Sequence, residues 1–196
     1  MSQTTGARDP AELAMLAVIE ADAGSDAARP LIDRIRTYEP AEADAILAML
    51  LGRQNKLDET AAALESAFKR MATDPWPLMA VKRRAVSLAE SLGLRSPALA
   101  QRMIAALSTP FAAGAMPDER LRVAASLSRV AGLAQTCGSI MHALEPHSPW
   151  DPEMLTLRRD CYAATADPLL SKAERELQAY AELEAQPLTL PRPTGP

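Results

Sequence analysis

Apolar residues return every three or four positions along most of the chain, with polar residues between them. Over Leu57–Met71, the residues Leu57, Ala61, Leu64, Ala67, Phe68 and Met71 share one helical face, while Asp58, Glu59, Glu65, Lys69 and Arg70 lie mostly elsewhere. Leu78, Val81, Ala85, Leu88, Ala89 and Leu92 repeat the pattern. Proline punctuates these segments. Asp9-Pro10, Asp74-Pro75, Ser96-Pro97 and Asp151-Pro152 read as an N-cap followed by a proline in the first turn, where its missing N–H costs nothing. Glu12, three residues after Asp9, suits a capping box.

These signals predict helices near Pro10–Ala23, Asp26–Tyr38, Pro40–Arg53, Asp58–Ala72, Pro75–Leu92, Pro97–Leu107, Pro117–Val130, Ala134–Leu144, Pro152–Thr165 and Leu169–Glu184. The longest break is Ser108–Met116. Short connections make neighbouring helices antiparallel. The predicted organisation is a flexible N-terminus (1–9), one helical domain (10–185) and a disordered tail (186–196) carrying four prolines.

Composition narrows the fold class to all-α. Alanine supplies 39 of 196 residues, aromatics only 4% and glycine only 8 positions. Strands and their turns need the β-branched, aromatic and glycine residues that are scarce here. The excess of Arg over Lys, with abundant Ala, is the bias of a GC-rich bacterial genome. The net charge of −4 disfavours a nucleic-acid binder. Charge is uneven, however: residues 41–110 are mildly basic between two acidic ends. The first residues show no basic-then-apolar leader, and the longest apolar run, Ala45–Leu51, is far too short to span a bilayer. A cytoplasmic protein without a membrane span is the expectation.

The predicted helices group into five hairpins beginning near residues 10, 40, 75, 117 and 152. A spacing in the mid-thirties with two helices per unit is the mark of a solenoid. Asp74–Ala85 and Ser148–Tyr162 echo one another, each with Pro-Trp, an apolar stretch and Arg-Arg, and place Trp76 and Trp150 two units apart. Ala45–Pro75 resembles a tetratricopeptide repeat. Leu47-Ala48 stands for the family's Leu-Gly pair, Leu51 for its aromatic position, Asn55 for its turn glycine and Leu57-Asp58-Glu59 for its Leu-Asp-Glu. Leu64 and Ala67 fit, Thr60 departs from the usual Ala, and Pro75 comes about three residues late. Leu157–Leu183 is a weaker match through Tyr162, Ala173, Leu177 and Tyr180. The resemblance implies about five antiparallel hairpins stacked as a right-handed α-α solenoid whose first helices line a concave face. Asp74-Pro75-Trp76-Pro77, Ala98–Ala112 and Leu144–Trp150 also look like the helical-repeat extensions of bacterial fused transporter/spermidine-synthase proteins, whose catalytic domain has no counterpart here.

Candidate chemistry is sparse. Cys137, His142, His147 and Cys161 lack the paired spacing of metal ligands, so no metal is expected. Two cysteines make no disulfide framework, and each reads as a small buried hydrophobe. No nucleophile or phosphate-loop motif is present, so neither catalytic residues nor a cofactor are expected. Lys82, Arg83, Arg84, Arg120, Arg122, Arg158 and Arg159 fall on the first helices of the last three hairpins. If aligned on the concave face, they form a ladder for an acidic peptide or protein surface; the competing reading is a solvated face, or arginines paired with nearby acids. Trp76 and Trp150 read as staples against the next hairpin or as anchors for a partner. The expectation is therefore a non-enzymatic adaptor or scaffold. The alternative is an accessory or regulatory domain of an enzyme system, in the sense of the spermidine-synthase likeness. Met15, Leu16 and Ile19 offer a surface for self-association if the first hairpin leaves them exposed.

Overall fold

The computed structural model describes residues 9–184. The flexible start, apart from Asp9, and the tail expected beyond residue 185 lie outside the described residues. Among the described residues the chain is all-helical, with no strand. The helices are α1 (Pro10–Asp22), α2 (Ala28–Arg36), α3 (Pro40–Arg53), α4 (Leu57–Met71), α5 (Met79–Gly93), α6 (Pro97–Leu107), α7 (Pro117–Val130), α8 (Ala134–Leu144), α9 (Pro152–Thr165) and α10 (Leu170–Glu184). A 3-10 turn, Ala112–Gly114, lies in the long connection before α7. That connection is anchored by Phe111, which is buried with its ring 5.6 Å from Phe68.

Three of the four Asp-Pro and Ser-Pro signals cap as expected. Asp9 accepts from the Ala11 N–H at 2.8 Å, Ser96 from Leu99 at 3.2 Å and Asp151 from Met154 at 2.8 Å. Asp74-Pro75 departs from the expectation, since α5 begins at Met79 rather than at Pro75. The cause is Pro77: a proline forces the residue before it out of the helical region, so Trp76 cannot join a first turn. Asp74 instead accepts from the Trp76 N–H at 3.0 Å, and Trp76 stays in the loop.

The helix ends share one turn. Gly24, Asn55, Gly132 and Ala166 follow α1, α3, α7 and α9 with φ between 51° and 69°. Asn55 is the position matched above to a turn glycine. At each end the next residue donates back across the last turn: Ser25 to Glu20, Lys56 to Leu51, Leu133 to Ser128 and Asp167 to Tyr162, at 2.8 to 3.0 Å. This 6→1 bond with a left-handed residue satisfies terminal carbonyls and reverses the chain sharply.

Each helix packs on the next in the chain, and α1, α3, α5 and α7 each pack on the next odd-numbered helix. Helix α3 is the most enclosed. It touches α1, α2, α4 and α5, and of its fourteen residues Ala41–Ile46 and Ala48–Leu51 are buried. Alanine makes this closeness possible: Ala41, Ala43, Ala45 and Ala48 are all inaccessible to solvent. The α5–α7 approach is tight as well, because a Cβ on Gly93 would lie 2.6 Å from Leu127 Cδ2. Apolar residues form two clusters, one running from Leu13 to Leu127 and one built on α8, α9 and Ala173 of α10.

The second cluster corrects the reading of the cysteines. Cys137 and Cys161 are not separate buried thiols; they form a disulfide joining α8 to α9, with Cα atoms 5.3 Å apart. Their separation of 24 residues gave no sign of this, and only the packing of α8 on α9 brings them together. No helix among the described residues is long and apolar enough to cross a membrane.

Two stability tests follow from this packing. Gly93→Val should destabilise the fold by about 1–3 kcal/mol through overpacking against Leu127, read as a lower urea midpoint. Reduction of the disulfide should lower unfolding free energy by about 3 kcal/mol for a loop of this size, and denatured, unreduced protein should show no reactive thiol.

Candidate functional site

The basic residues do not form a continuous exposed ladder. Lys82 is buried, and its Nζ donates to the Pro75 carbonyl at 2.8 Å. Arg120 is buried and donates to the Leu107 and Ser108 carbonyls at the end of α6. Arg158 is buried among Glu145, 3.0 Å away, Glu176 and the face of Tyr162. Arg84 pairs with Asp22 of α1, and Arg122 forks onto Glu90 of α5 at 3.1 and 3.2 Å. Arg159 pairs with Asp160 beside it. Arg83 is exposed and joins no ion pair among the described residues. The internal-pairing reading thus describes most of the set. Burial of a charged side chain requires such partners, and α5, α7 and α9 turn Lys82, Arg120 and Arg158 inward to meet them.

The tryptophans part company. Trp150 packs against Tyr180 of α10, ring centroids 6.4 Å apart. Trp76 is 79% exposed and lines a cavity at the other end of the molecule.

That end holds the most distinctive surface. Along α1, Met15 is 64% and Ile19 60% exposed, and Leu16 is exposed as well. Leu78, just before α5, faces the same cavity as Met15 and Ile19, and its neighbour Met79 is exposed. A cavity of about 190 Å³ between the two helices is lined by Ala14, Met15, Val18, Ile19, Leu78, Ala80, Val81 and Arg84 and is almost wholly apolar. It shares Ala14 and Leu78 with a second cavity of about 230 Å³, lined in addition by Asp9, Ile35, Tyr38, Glu39, Glu42 and Trp76. The two make one groove along α1, a helix about 20 Å long. The Arg84–Asp22 pair marks one end. The other end is acidic and aromatic.

The acidic end is built by α3. Glu42 sits in its first turn, yet it is only 4% exposed because α3 has helices on every side. The Leu78 N–H donates to it, while its Oε1 has no partner. The Oε2 of Glu39 is likewise buried and unpartnered. Burial pushes both carboxyls above the ordinary carboxylate value, with Asp74 adding to the effect on Glu39 and Glu39 adding to that on Glu42. Two residues along, Asp44 is equally buried but fully satisfied, accepting from Arg36, from Ser66 at 2.7 Å and from Arg70 at 3.0 Å. Glu39 and Glu42 went unremarked in the sequence. The usable signal was the apolar run Ala45–Leu51: a helix without a polar face is enclosed, so acids in its first turn are enclosed too.

No family model matches the chain, and neither a curated protein nor a solved structure matches it.

The site makes a pH prediction. Glu42 holds its proton in the fold at pH values where the unfolded chain has lost it. Its favourable contribution is full below 4.5 and is lost as pH rises through the raised value. Glu42→Gln, which keeps an acceptor for the Leu78 N–H, should therefore stabilise the protein at neutral pH by about 1 kcal/mol. The gain should vanish near about pH 4. Urea midpoints at both pH values check this; an equal gain at both would remove the charge as its cause.

Proposed function

We propose that this chain is a non-enzymatic helical-repeat adaptor, a tetratricopeptide-like right-handed solenoid of five antiparallel hairpins, which binds a segment of a partner protein along the face of α1, α3 and α5. The packing of each odd-numbered helix on the next supports the solenoid, as do the equivalent turns after α1, α3, α7 and α9. The carrying observation is the exposed apolar set of Met15, Ile19 and Leu78 around one cavity, with Trp76 on the adjoining one. Exposed apolar residues gathered along a concave groove mark interaction sites. An amphipathic helix of three turns suits the groove in length and character. The acidic partner first inferred from the arginines loses support, since most of those cations are engaged within the fold. The α8–α9 disulfide favours an oxidising compartment over the cytoplasm as the working location.

The test is capture from a lysate of the source cells by wild-type chain, by Met15→Asp/Ile19→Asp and by Arg83→Glu/Arg159→Glu. One partner should be retained by the basic-residue variant and lost by the groove variant, at unchanged helix content. Retention by both variants would overturn the groove reading. A dimer seen in sedimentation and lost in the groove variant would assign the surface to a second copy instead.

A further inference from the structure

Resting on the adaptor reading, we infer that the acidic end of the groove seats a lysine side chain of the docked segment. Four observations converge there. Two buried carboxylate oxygens, Glu42 Oε1 and Glu39 Oε2, lack any hydrogen-bond donor. Both residues line a cavity of about 230 Å³ together with Tyr38 and Trp76. That cavity shares Ala14 and Leu78 in its lining with the apolar one. Finally, no cation among the described residues pairs with either glutamate: Lys82 bears on Glu39 electrostatically but is tied to the Pro75 carbonyl.

An enclosed carboxylate without a donor is costly, and a ligand that brings donors and positive charge removes that cost on binding. Asp44 shows what satisfaction looks like in this same helix: two arginines and a serine converge on it. Glu42 has the burial without the partners, and half-buried Glu39 adds one enclosed, unpartnered oxygen. A metal ion is a poor occupant, since no three His, Cys, Asp or Glu side chains among the described residues converge to hold one. An ammonium group suits the site better than a guanidinium. It is compact, it points three donors in different directions, and its aliphatic stem lies favourably along Leu78 and the Trp76 ring. A guanidinium needs a coplanar carboxylate for its fork, and Glu42 already spends one side on the Leu78 N–H. The groove therefore reads a pattern: apolar residues along Met15 and Ile19, and a lysine at the Trp76 end.

The probe is n-butylammonium chloride, which reproduces the lysine side chain, titrated into the full ¹⁵N-labelled chain and followed by amide and indole resonances. Butan-1-ol and sodium chloride serve as neutral and ionic controls. Saturable shifts of the Trp76 indole and the Leu78 amide are expected with butylammonium alone, about tenfold weaker in Glu42→Gln, as befits loss of a charged hydrogen bond. Equal shifts with either control, or an unchanged response in Glu42→Gln, would overturn the lysine seat. The capture experiment separates the two proposals. If Met15→Asp/Ile19→Asp abolishes capture while butylammonium elicits nothing, the groove stands and the lysine seat falls. If butylammonium binds while capture ignores the groove variant, the adaptor reading falls, the lysine source falls with it, and a free alkylamine is the ligand.

Discussion

Helix α3 has no face left for water, and the rest of the N-terminal architecture answers to that. Four helices must surround it, so its neighbour-facing positions must be small, and Ala41, Ala43, Ala45 and Ala48 meet the requirement. Charged residues in its first turns are carried inside by the same enclosure. Asp44 draws in Arg36 from α2 and Arg70 from α4 and so ties three helices at one point. Glu42 faces the α1–α5 side, where the Leu78 backbone N–H is its one donor among the described residues. One buried acid thus became a structural joint and the other keeps an unpartnered oxygen, although they lie only two residues apart.

The helices were legible because capping and periodicity are local. The predicted bounds of Pro40–Arg53, Pro97–Leu107, Pro117–Val130, Ala134–Leu144 and Pro152–Thr165 match the observed helices, since a proline, a cap or a left-handed turn residue punctuates each. The start of α5 was misplaced by a local competition, Pro77 restricting Trp76, which the Asp74-Pro75 signal masked. The candidate site was much less legible. Whether an arginine on a helix meets water or a glutamate depends on the rotation of that helix against its neighbour, and adjacent Arg-Arg pairs give little hint of it. The disulfide and the orphaned glutamates are likewise properties of packing between helices, invisible to any reading confined to one of them.

The arginines acquire a different role in the folded chain. Arg84 reaches from α5 to Asp22 of α1, Arg122 from α7 to Glu90 of α5, Arg102 from α6 to Glu65 of α4, and Arg129 from α7 to Asp160 of α9. The last three span alternate helices and the first spans α1 and α5, so none joins sequence neighbours. Half-exposed pairs of this kind contribute little to stability. They do favour one rotational setting of each helix, which a smooth alanine surface specifies poorly, and so complement the close but featureless contacts of the core.

The division of the apolar interior has a consequence for how the molecule can change. Helix α7 is a shared wall, turning Val123, Ala124 and Leu127 toward one cluster and Ala125 toward the other. Fraying that begins at α9 and α10 meets that wall before it reaches the groove, because contacts run only between near neighbours. The disulfide-bearing end is accordingly a separable module: evolution or design can lengthen, trim or retune it while the groove beside α1 stays as it is.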